Sequence, residues 1–278
     1  MPPSQAGRGC YILRTLYSRL WTPAQDGWAS LCLWLDASDL NTIIFGTGTG
    51  VFVWVDKSQY GNNVDQITAA KQPPLVTAAG ANSLSFNGTS QVLVGFSNTG
   101  ALSTLGFPFS TAPRSFFAVV NPSATIAAGS IMQYGNGAPT GQNGNGFMVL
   151  MNAANDRWIS TNNFDLKTVA AISAVQQLYS SSSASGTTTI YKNGTSAISG
   201  TLTMTTTSSA ALHVGGAFWN ALNQNYFKGN ISEILFTNAL LSRAQAQVYE
   251  GYLAWKWGLA KSLPTTHAYA FSPPTVGA

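Results

Sequence analysis

Short apolar runs separated by turn-forming residues limit the possible folds of this 278-residue chain more than any other feature. The runs have the length of β-strands and are rich in Val, Ile, Phe, Tyr and Thr, while Gly, Asn, Pro and Ser fill the gaps between them. Such a pattern is typical of strands joined by tight turns. It predicts strands at Leu31–Asp36, Val51–Asp56, Ser83–Phe86, Gln91–Gly95, Ser115–Asn121, Ser130–Tyr134, Gly146–Met151, Arg157–Ser160, Gln176–Ser180, Thr187–Lys192, Ala197–Met204, Ala211–Val214 and Ile231–Thr237.

Two Asn-Gly pairs indicate where neighbouring strands are joined. A type I′ turn needs a positive φ at both central residues, and Asn-Gly adopts this conformation readily. Asn193-Gly194 therefore predicts a hairpin between Thr187–Lys192 and the strand that follows. Asn87-Gly88 predicts a second turn between the strands on either side of it.

One helix is predicted near the carboxyl end. Ser242 and Gln245 fit a capping box, in which each side chain bonds the backbone N–H of the other residue. We expect the helix face that packs on the sheets to contain Tyr249, Leu253 and Trp257. The fold class predicted is therefore all-β, a two-sheet antiparallel β-sandwich with one short C-terminal helix.

The chain shows no Pro-rich or Ser-rich linker long enough to divide two domains, and no repeat of fixed period. Sandwiches of about 200–250 residues often form a single domain. We therefore expect one domain at residues 21–278, with an extended C-terminal tail, preceded by an N-terminal arm at residues 1–20.

The composition is unusually poor in charge. Asp, Glu, Lys and Arg make up 8% of the residues, whereas ordinary soluble domains carry about 25%. This composition suits shells, fibres and secreted modules better than cytosolic enzymes. The net charge of +4 reflects few acids rather than a basic patch, so we expect no nucleic-acid partner. No segment approaches the roughly 20 apolar residues of a membrane span.

The arm combines basic and apolar residues, with Arg8, Arg14 and Arg19 set among Tyr, Ile and Leu. A signal peptide needs an apolar segment of about 7–15 residues, which Arg14 and Arg19 interrupt, so none is predicted. Two interpretations stay open. The arm is poorly ordered or forms a short helix laid on its own domain, or it is an anchor that inserts into a neighbouring subunit.

The chain has too few Cys and His residues for a disulfide framework or a zinc site. Cys10 and Cys32, with His213 and His267, match no zinc pattern. We expect both cysteines to be reduced, and a single Cys10–Cys32 bridge remains an alternative because spacing alone does not fix its geometry.

A series of short motifs between Trp21 and Pro274 carries a family resemblance. They are Trp21-Thr-Pro23, Leu33-Trp-Leu-Asp-Ala-Ser-Asp39, Val53-Trp-Val-Asp-Lys-Ser58, Gly61-Asn62, Gln72-Pro-Pro74, Leu84-Ser-Phe-Asn-Gly88, Ile190-Tyr-Lys-Asn-Gly194, Phe227-Lys-Gly-Asn-Ile-Ser-Glu-Ile-Leu-Phe236, Ala239-Leu-Leu-Ser242, Gly251-Tyr-Leu-Ala-Trp-Lys-Trp-Gly258, Leu263-Pro264 and His267-Ala-Tyr269. Together they resemble the concanavalin A-like and laminin-G-like jelly-roll domains of bacterial surface proteins and of virion proteins of phages and large DNA viruses. The resemblance implies a jelly roll but not one function, since this fold hosts lectins, glycan hydrolases and structural modules.

Catalysis is not expected. Glycan hydrolysis normally needs two carboxyl groups that face the scissile bond, and the resemblance implies two Glu within one strand. The chain has only Glu233 and Glu250, which fall on a predicted strand and on the predicted helix. Neither histidine has a nucleophile-elbow sequence nearby.

Three aspartates are weak candidates for calcium. Asp36, Asp39 and Asp56 lie at strand ends, where loop oxygens could hold Ca²⁺. The alternative is that each carboxylate caps a turn by accepting backbone N–H bonds. No other cofactor is expected.

Two loops have the chemistry for binding sugars. A sugar site needs an aromatic face for the ring and neutral polar groups for its hydroxyls. One candidate loop contains Trp219, Asn220, Asn223 and Tyr226, and the other contains Asp156 and Trp158. Burial of these aromatic side chains in the core is the alternative interpretation.

Two functions are compatible with this sequence. The first is a non-catalytic structural or accessory virion protein, such as a minor capsid, decoration or fibre component, whose arm contacts other subunits of an oligomer or larger assembly. The alternative is an extracellular or cell-surface carbohydrate-binding module that attaches to glycans. A glycan hydrolase is a distant third.

Overall fold

The structure is a computed structural model. It describes residues 19–25, 30–78, 80–95, 105–135, 146–161, 164–184, 186–207, 212–219 and 222–276. Arg8, Arg14, Cys10 and Asn220 lie outside the described residues, and so do the predictions that depend on them.

The described residues form nineteen strands and one α-helix. They are β1 (Leu31–Asp36), β2 (Ile43–Phe45), β3 (Val51–Trp54), β4 (Val64–Asp65), β5 (Leu75–Ala78), β6 (Ala81–Asn87), β7 (Leu93–Gly95), β8 (Arg114–Pro122), β9 (Ala128–Gly135), β10 (Gly146–Asn152), β11 (Asn155–Ser160), β12 (Asp165–Lys167), β13 (Gln177–Ala184), β14 (Thr187–Lys192), β15 (Thr195–Thr201), β16 (His213–Val214), β17 (Ala217–Trp219), β18 (Leu222–Gln224), β19 (Lys228–Thr237) and α1 (Arg243–Lys256). Each predicted strand overlaps an observed one, and β1 and β14 have the predicted bounds. Six strands were not predicted, namely β2, β4, β5, β12, β17 and β18.

The strands form two large antiparallel sheets. Within the described residues, an eight-stranded sheet has the order β15-β14-β13-β8-β19-β6-β5, with β1 also paired to β19. A nine-stranded sheet has the order β12-β11-β10-β9-β16-β7-β4-β3-β2, and β17 pairs with β18 in a separate hairpin. The predicted class, an antiparallel β-sandwich of the jelly-roll kind with one short helix, is confirmed.

The core lies between the two sheets. The eight-stranded sheet contributes Phe116 and Phe236, and the nine-stranded sheet contributes Met132, Val149 and Ile159, all with 0% of their surface exposed. Side chains alternate between the two faces of a strand. Neighbouring residues therefore point away from the core and are available to form the outer surfaces of the sandwich.

The two Asn-Gly pairs have different roles. Asn193 and Gly194 have φ of 47° and 75° and join the paired strands β14 and β15, which confirms the predicted hairpin. The chain also turns after Asn87, where Gly88 has φ of 76°. The strands on either side of that turn, β6 and β7, belong to different sheets, so this turn links the two layers instead of closing a hairpin.

Helix α1 packs on the outer face of the eight-stranded sheet. Ser242 and Gln245 form the predicted capping box. The ring of Tyr249 stacks on Phe117 with centroids 5.0 Å apart, and Leu253 and Trp257 are buried in the same cluster. The predicted packing face is confirmed. No helix of the described residues is long and apolar enough to cross a membrane.

The described chain begins beside its own C-terminal tail. Trp21 N donates a hydrogen bond to Pro274 O at 3.0 Å, and Val276 N donates to Arg19 O at 2.8 Å. Arg19, at the end of the predicted arm, and Trp21, at the start of the predicted domain, are therefore both bonded to the tail.

Cys32 is a buried free thiol. Its Sγ donates to Phe236 O at 3.3 Å, and burial raises the pKa of this thiol well above its ordinary value. Cys10 lies outside the described residues, so the alternative of a Cys10–Cys32 bridge stays a prediction.

Candidate functional site

The outer face of the nine-stranded sheet carries a mixed apolar and polar surface. In β10, Val149 and Met151 point into the core, so Met148 and Leu150 point outward. The pairing of β10 with β11 and of β11 with β12 places other residues beside these two. Ser160 and Asp165 lie in one row with Met148, and Trp158 and Lys167 lie in a second row with Leu150.

The β17–β18 hairpin folds over this face. Ala217 packs on Met148 and Leu150. The side chain of Gln133 in β9 holds the backbone of Phe218, because its Nε2 donates to Phe218 O at 3.0 Å and its Oε1 accepts from Phe218 N. The end of the hairpin is also attached to the sheet, where Ser130 N donates to Asn225 O at 2.8 Å.

A pocket of about 330 Å³ lies between the sheet and the hairpin. Its lining residues are Met148, Leu150, Trp158, Ser160, Asp165, Gln224 and Asn225. The pocket therefore combines an indole ring with two amides, one hydroxyl and one carboxylate. Trp158 Nε1 is buried and has no hydrogen-bond partner among the described residues.

The pocket brings together the two loops that the sequence analysis treated separately. Trp158 comes from one loop, and Gln224 and Asn225 come from the other. Trp219 and Asn223 lie on the hairpin strands, where they pair with Leu222 and Phe218. Tyr226 is half-buried next to the hairpin and is not among the lining residues.

Asp156 does not line the pocket. Its carboxylate is buried and bonds Arg157 Nε and Lys192 Nζ at 3.0 Å each, and Thr168 Oγ1 at 2.7 Å. These contacts tie β11 to the loop after β12 and to β14. The geometry gives Asp156 a structural role in place of the sugar contact that we predicted.

Ser160, Asp165 and Gln133 are not among the site residues predicted from the sequence. Ser160 could have been found, because it lies two residues after Trp158 on the same face of a strand. Asp165 and Gln133 reach the site only through strand pairing, which leaves no local signal in the sequence.

The three calcium candidates have other partners. Asp36 bonds Lys57 at 2.9 Å and Lys256 at 2.7 Å, and Asp39 also bonds Lys57 at 2.9 Å. Burial favours the neutral form of Asp36, but the Lys256 and Lys57 ammonium groups outweigh it and lower its pKa. Asp56 accepts four hydrogen bonds of 2.6–2.9 Å from backbone N–H groups and a Ser hydroxyl. Asp36 and Asp39 also accept bonds from the backbone N–H groups of Ser38 and Asn41, so this geometry supports the turn-capping alternative. Among the described residues no group of His, Cys, Asp and Glu is placed to hold a metal.

The two glutamates lie on the side of the sandwich away from the pocket. Glu233 in β19 accepts hydrogen bonds from Trp34, Trp257, Tyr252 and Lys256 under helix α1. Burial raises the pKa of Glu233 despite the nearby Lys256 ammonium. Within the described lining, the pocket has a single carboxylate, that of Asp165, whereas glycan hydrolysis normally uses two.

Glu250 in α1 is also fully buried. It accepts from Ser180 Oγ at 2.6 Å and lies 2.8 Å from Arg243 and 3.1 Å from His267 Nε2. Burial would raise its pKa, but the bonds from His267 and Arg243 outweigh burial, and the pKa lies below the ordinary value of 4.5. The ionised carboxylate is therefore the form that the fold stabilises.

Glu250 should make stability depend on pH. A carboxyl whose pKa is lower in the folded state stabilises the fold above its unfolded-state pKa, and this contribution is lost as pH falls through the folded-state pKa. We expect Glu250→Gln to lower the free energy of unfolding at about pH 7, and its difference from wild type to shrink below about pH 4.5. Urea unfolding at a series of pH values measures this difference. A difference that stays constant down to about pH 3 would contradict the assignment.

Comparisons with known proteins give structural matches alone. No family model matches the chain, and no curated protein matches it significantly. The Ruminococcus gnavus IT-sialidase CBM40 bound to alpha2,3 sialyllactose is 16% identical, with a TM-score of 0.42 over 48% of this chain and 79% of that chain. Domain 4 of AbnA, a GH43 extracellular arabinanase from Geobacillus stearothermophilus, in complex with arabinotriose, is 15% identical, with a TM-score of 0.48 over 77% and 95%. The NanB sialidase from Streptococcus pneumoniae is 17% identical, with a TM-score of 0.39 over 48% and 23%.

Proposed function

We propose that this chain is a non-catalytic glycan-binding domain that attaches to extracellular or cell-surface glycans through the pocket under the β17–β18 hairpin. The observation that carries the proposal is the convergence of Trp158 with Gln224 and Asn225 in one cavity. Its volume of about 330 Å³ is at the small end of ligand pockets, which span about 300–1,000 Å³. This size suits one or two sugar rings.

The lining supplies both parts of sugar recognition. The indole of Trp158 offers an apolar ring face, with Met148 and Leu150 beside it. Side-chain amides donate and accept hydrogen bonds at once, as sugar hydroxyls do, and Gln224 and Asn225 supply two of them. One carboxylate without a second in the described lining favours binding over hydrolysis.

Glycan binding is tested with the full chain on a glycan array, followed by calorimetric titration of the strongest ligand. We expect Trp158→Ala to weaken binding about tenfold or more, because it removes the aromatic face of the pocket. The matched control is Trp255→Ala, since Trp255 is 39% exposed on helix α1 at the opposite face of the sandwich. Thermal unfolding verifies that both variants fold. Equal loss of binding in the two variants, or no loss in either, would contradict the proposed site.

A second candidate is a structural subunit of a virion or surface assembly, with the arm as the subunit contact. It is favoured by an apolar pocket of about 350 Å³ beside the start of the described chain, lined by Leu20, Trp21, Tyr252, Trp255 and Pro274 among others. Phe271 is also an apolar side chain with 79% of its surface exposed, as expected of a residue that a neighbouring subunit covers. The same experiment separates the candidates if the mass of the full chain in solution is recorded. Self-association without any glycan signal would favour the assembly subunit.

A further inference from the structure

We infer that the pocket selects neutral sugars and rejects acidic ones, and that Asp165 sets this preference. The inference rests on the proposed function, because it concerns the ligand of the same pocket. Of the described lining residues, Asp165 is the single one that ionises. The pocket therefore offers a ligand one negative charge and otherwise neutral groups.

The cations near the pocket already have partners. Lys167 Nζ lies 3.7 Å from Asp165 Oδ2 and 4.9 Å from the centroid of the Trp158 ring, and Lys167 does not line the pocket. Arg157 in β11 and Lys192 in β14, a strand of the other sheet, both bond Asp156 at 3.0 Å. Among the described lining residues, an anionic ligand would therefore meet the Asp165 carboxylate and no cation.

A neutral sugar suits the same groups. An ionised carboxylate is an acceptor only, and hydrogen bonds to a charged acceptor are about twice as strong as neutral ones. Asp165 can therefore accept from the hydroxyls of a sugar, while Ser160, Gln224 and Asn225 complete the hydrogen bonding. A sugar carboxylate would place like charges together, which is an effective means of rejecting a ligand.

The test uses the full chain and an array on which neutral oligosaccharides are matched with sialylated and uronic-acid counterparts. We expect the acidic members to bind at least about tenfold more weakly than their neutral counterparts. Asp165→Asn should reduce this discrimination severalfold, because it removes the charge and releases Lys167. The control is Asp39→Asn, which makes the same change in net charge at another lysine-paired aspartate of similar exposure, 30% against 31%, and it should discriminate as wild type does.

Each outcome is decisive. Wild-type binding to acidic glycans that equals or exceeds binding to neutral ones overturns the inference and leaves the proposed function standing. Unchanged discrimination in Asp165→Asn, or an equal change in Asp39→Asn, removes Asp165 as its cause. Absence of binding to every glycan on the array overturns the proposed function together with the inference.

Discussion

Replacing Glu233 by alanine is expected to lower the free energy of unfolding by about 3–5 kcal/mol. Glu233 is 0% exposed and accepts hydrogen bonds from Trp34 Nε1 at 2.7 Å, Trp257 Nε1 at 2.6 Å and Tyr252 Oη at 3.0 Å. It also pairs with Lys256 Nζ at 2.7 Å. Its removal takes the acceptor from two buried indole N–H groups and from the partly buried Tyr252 hydroxyl. It also takes one of two anionic partners from the Lys256 ammonium.

Urea unfolding measures this loss, with Asp165→Ala as the control. Asp165 is also a carboxylate paired with a lysine, but its partner Lys167 is 45% exposed and 3.7 Å away. Exposed ion pairs contribute about 0–1 kcal/mol, so the control should be nearly neutral. A loss of less than about 1 kcal/mol for Glu233→Ala would show that this network does not hold helix α1 to the sheet.

The second large effect is expected at Gln133, which positions the hairpin without lining the pocket. Gln133→Leu keeps the volume but removes both bonds to the Phe218 backbone. The hairpin keeps the packing of Ala217 and the bond from Ser130 to Asn225 but loses its attachment at Phe218. Gln224, which pairs with Ala217 beside Phe218, is then held less firmly opposite Trp158. We expect glycan affinity to fall about tenfold or more, because binding groups held out of position contribute little to the binding free energy.

Two substitutions of Gln133 are compared to distinguish a loss of hairpin positioning from a general loss of protein stability. Gln133→Glu retains an acceptor for Phe218 N, but in its ionised form it cannot donate to Phe218 O and it places an unpaired charge at a buried position, so it should also bind more weakly than wild type. Calorimetric titration and thermal unfolding are recorded for both. Affinity that stays at the wild-type value in Gln133→Leu would show that the hairpin does not need this anchor.

The sequence predicted the long strands and the helix well because their signals are local. β14 and α1 are examples, since alternation, an Asn-Gly turn and a capping box all lie within a few residues. The strands that were not predicted are short. β4 has two residues and β2 has three, and such segments become strands only because a neighbouring strand supplies the hydrogen bonds.

The candidate site was predictable only in part, because its residues come together through contacts between distant parts of the chain. Aromatic and amide groups marked both loops, but nothing in the sequence indicated that they meet. Their convergence depends on Gln133, which is far along the chain from Phe218. Asp156 was predicted to bind sugar because it neighbours Trp158, whereas its position next to Lys192 makes it a buried ion-pair partner.

The low charge content also has a structural counterpart. Asp36, Asp56, Asp156, Glu233 and Glu250 are all buried and bonded to side chains or to backbone N–H groups. Much of the small number of carboxylates therefore stabilises the interior, which leaves neutral polar groups to cover the surface.

The most direct test of the central claim observes the indole N–H groups during ligand titration. The chain has eight tryptophans, and Trp158→Phe identifies the Trp158 signal in a ¹H–¹⁵N correlation spectrum of the full chain. With the strongest neutral oligosaccharide from the array, we expect a saturable shift of the Trp158 signal, while the Trp255 signal on the opposite face stays in place. A saturable shift at Trp255 with Trp158 unmoved would contradict the proposed site.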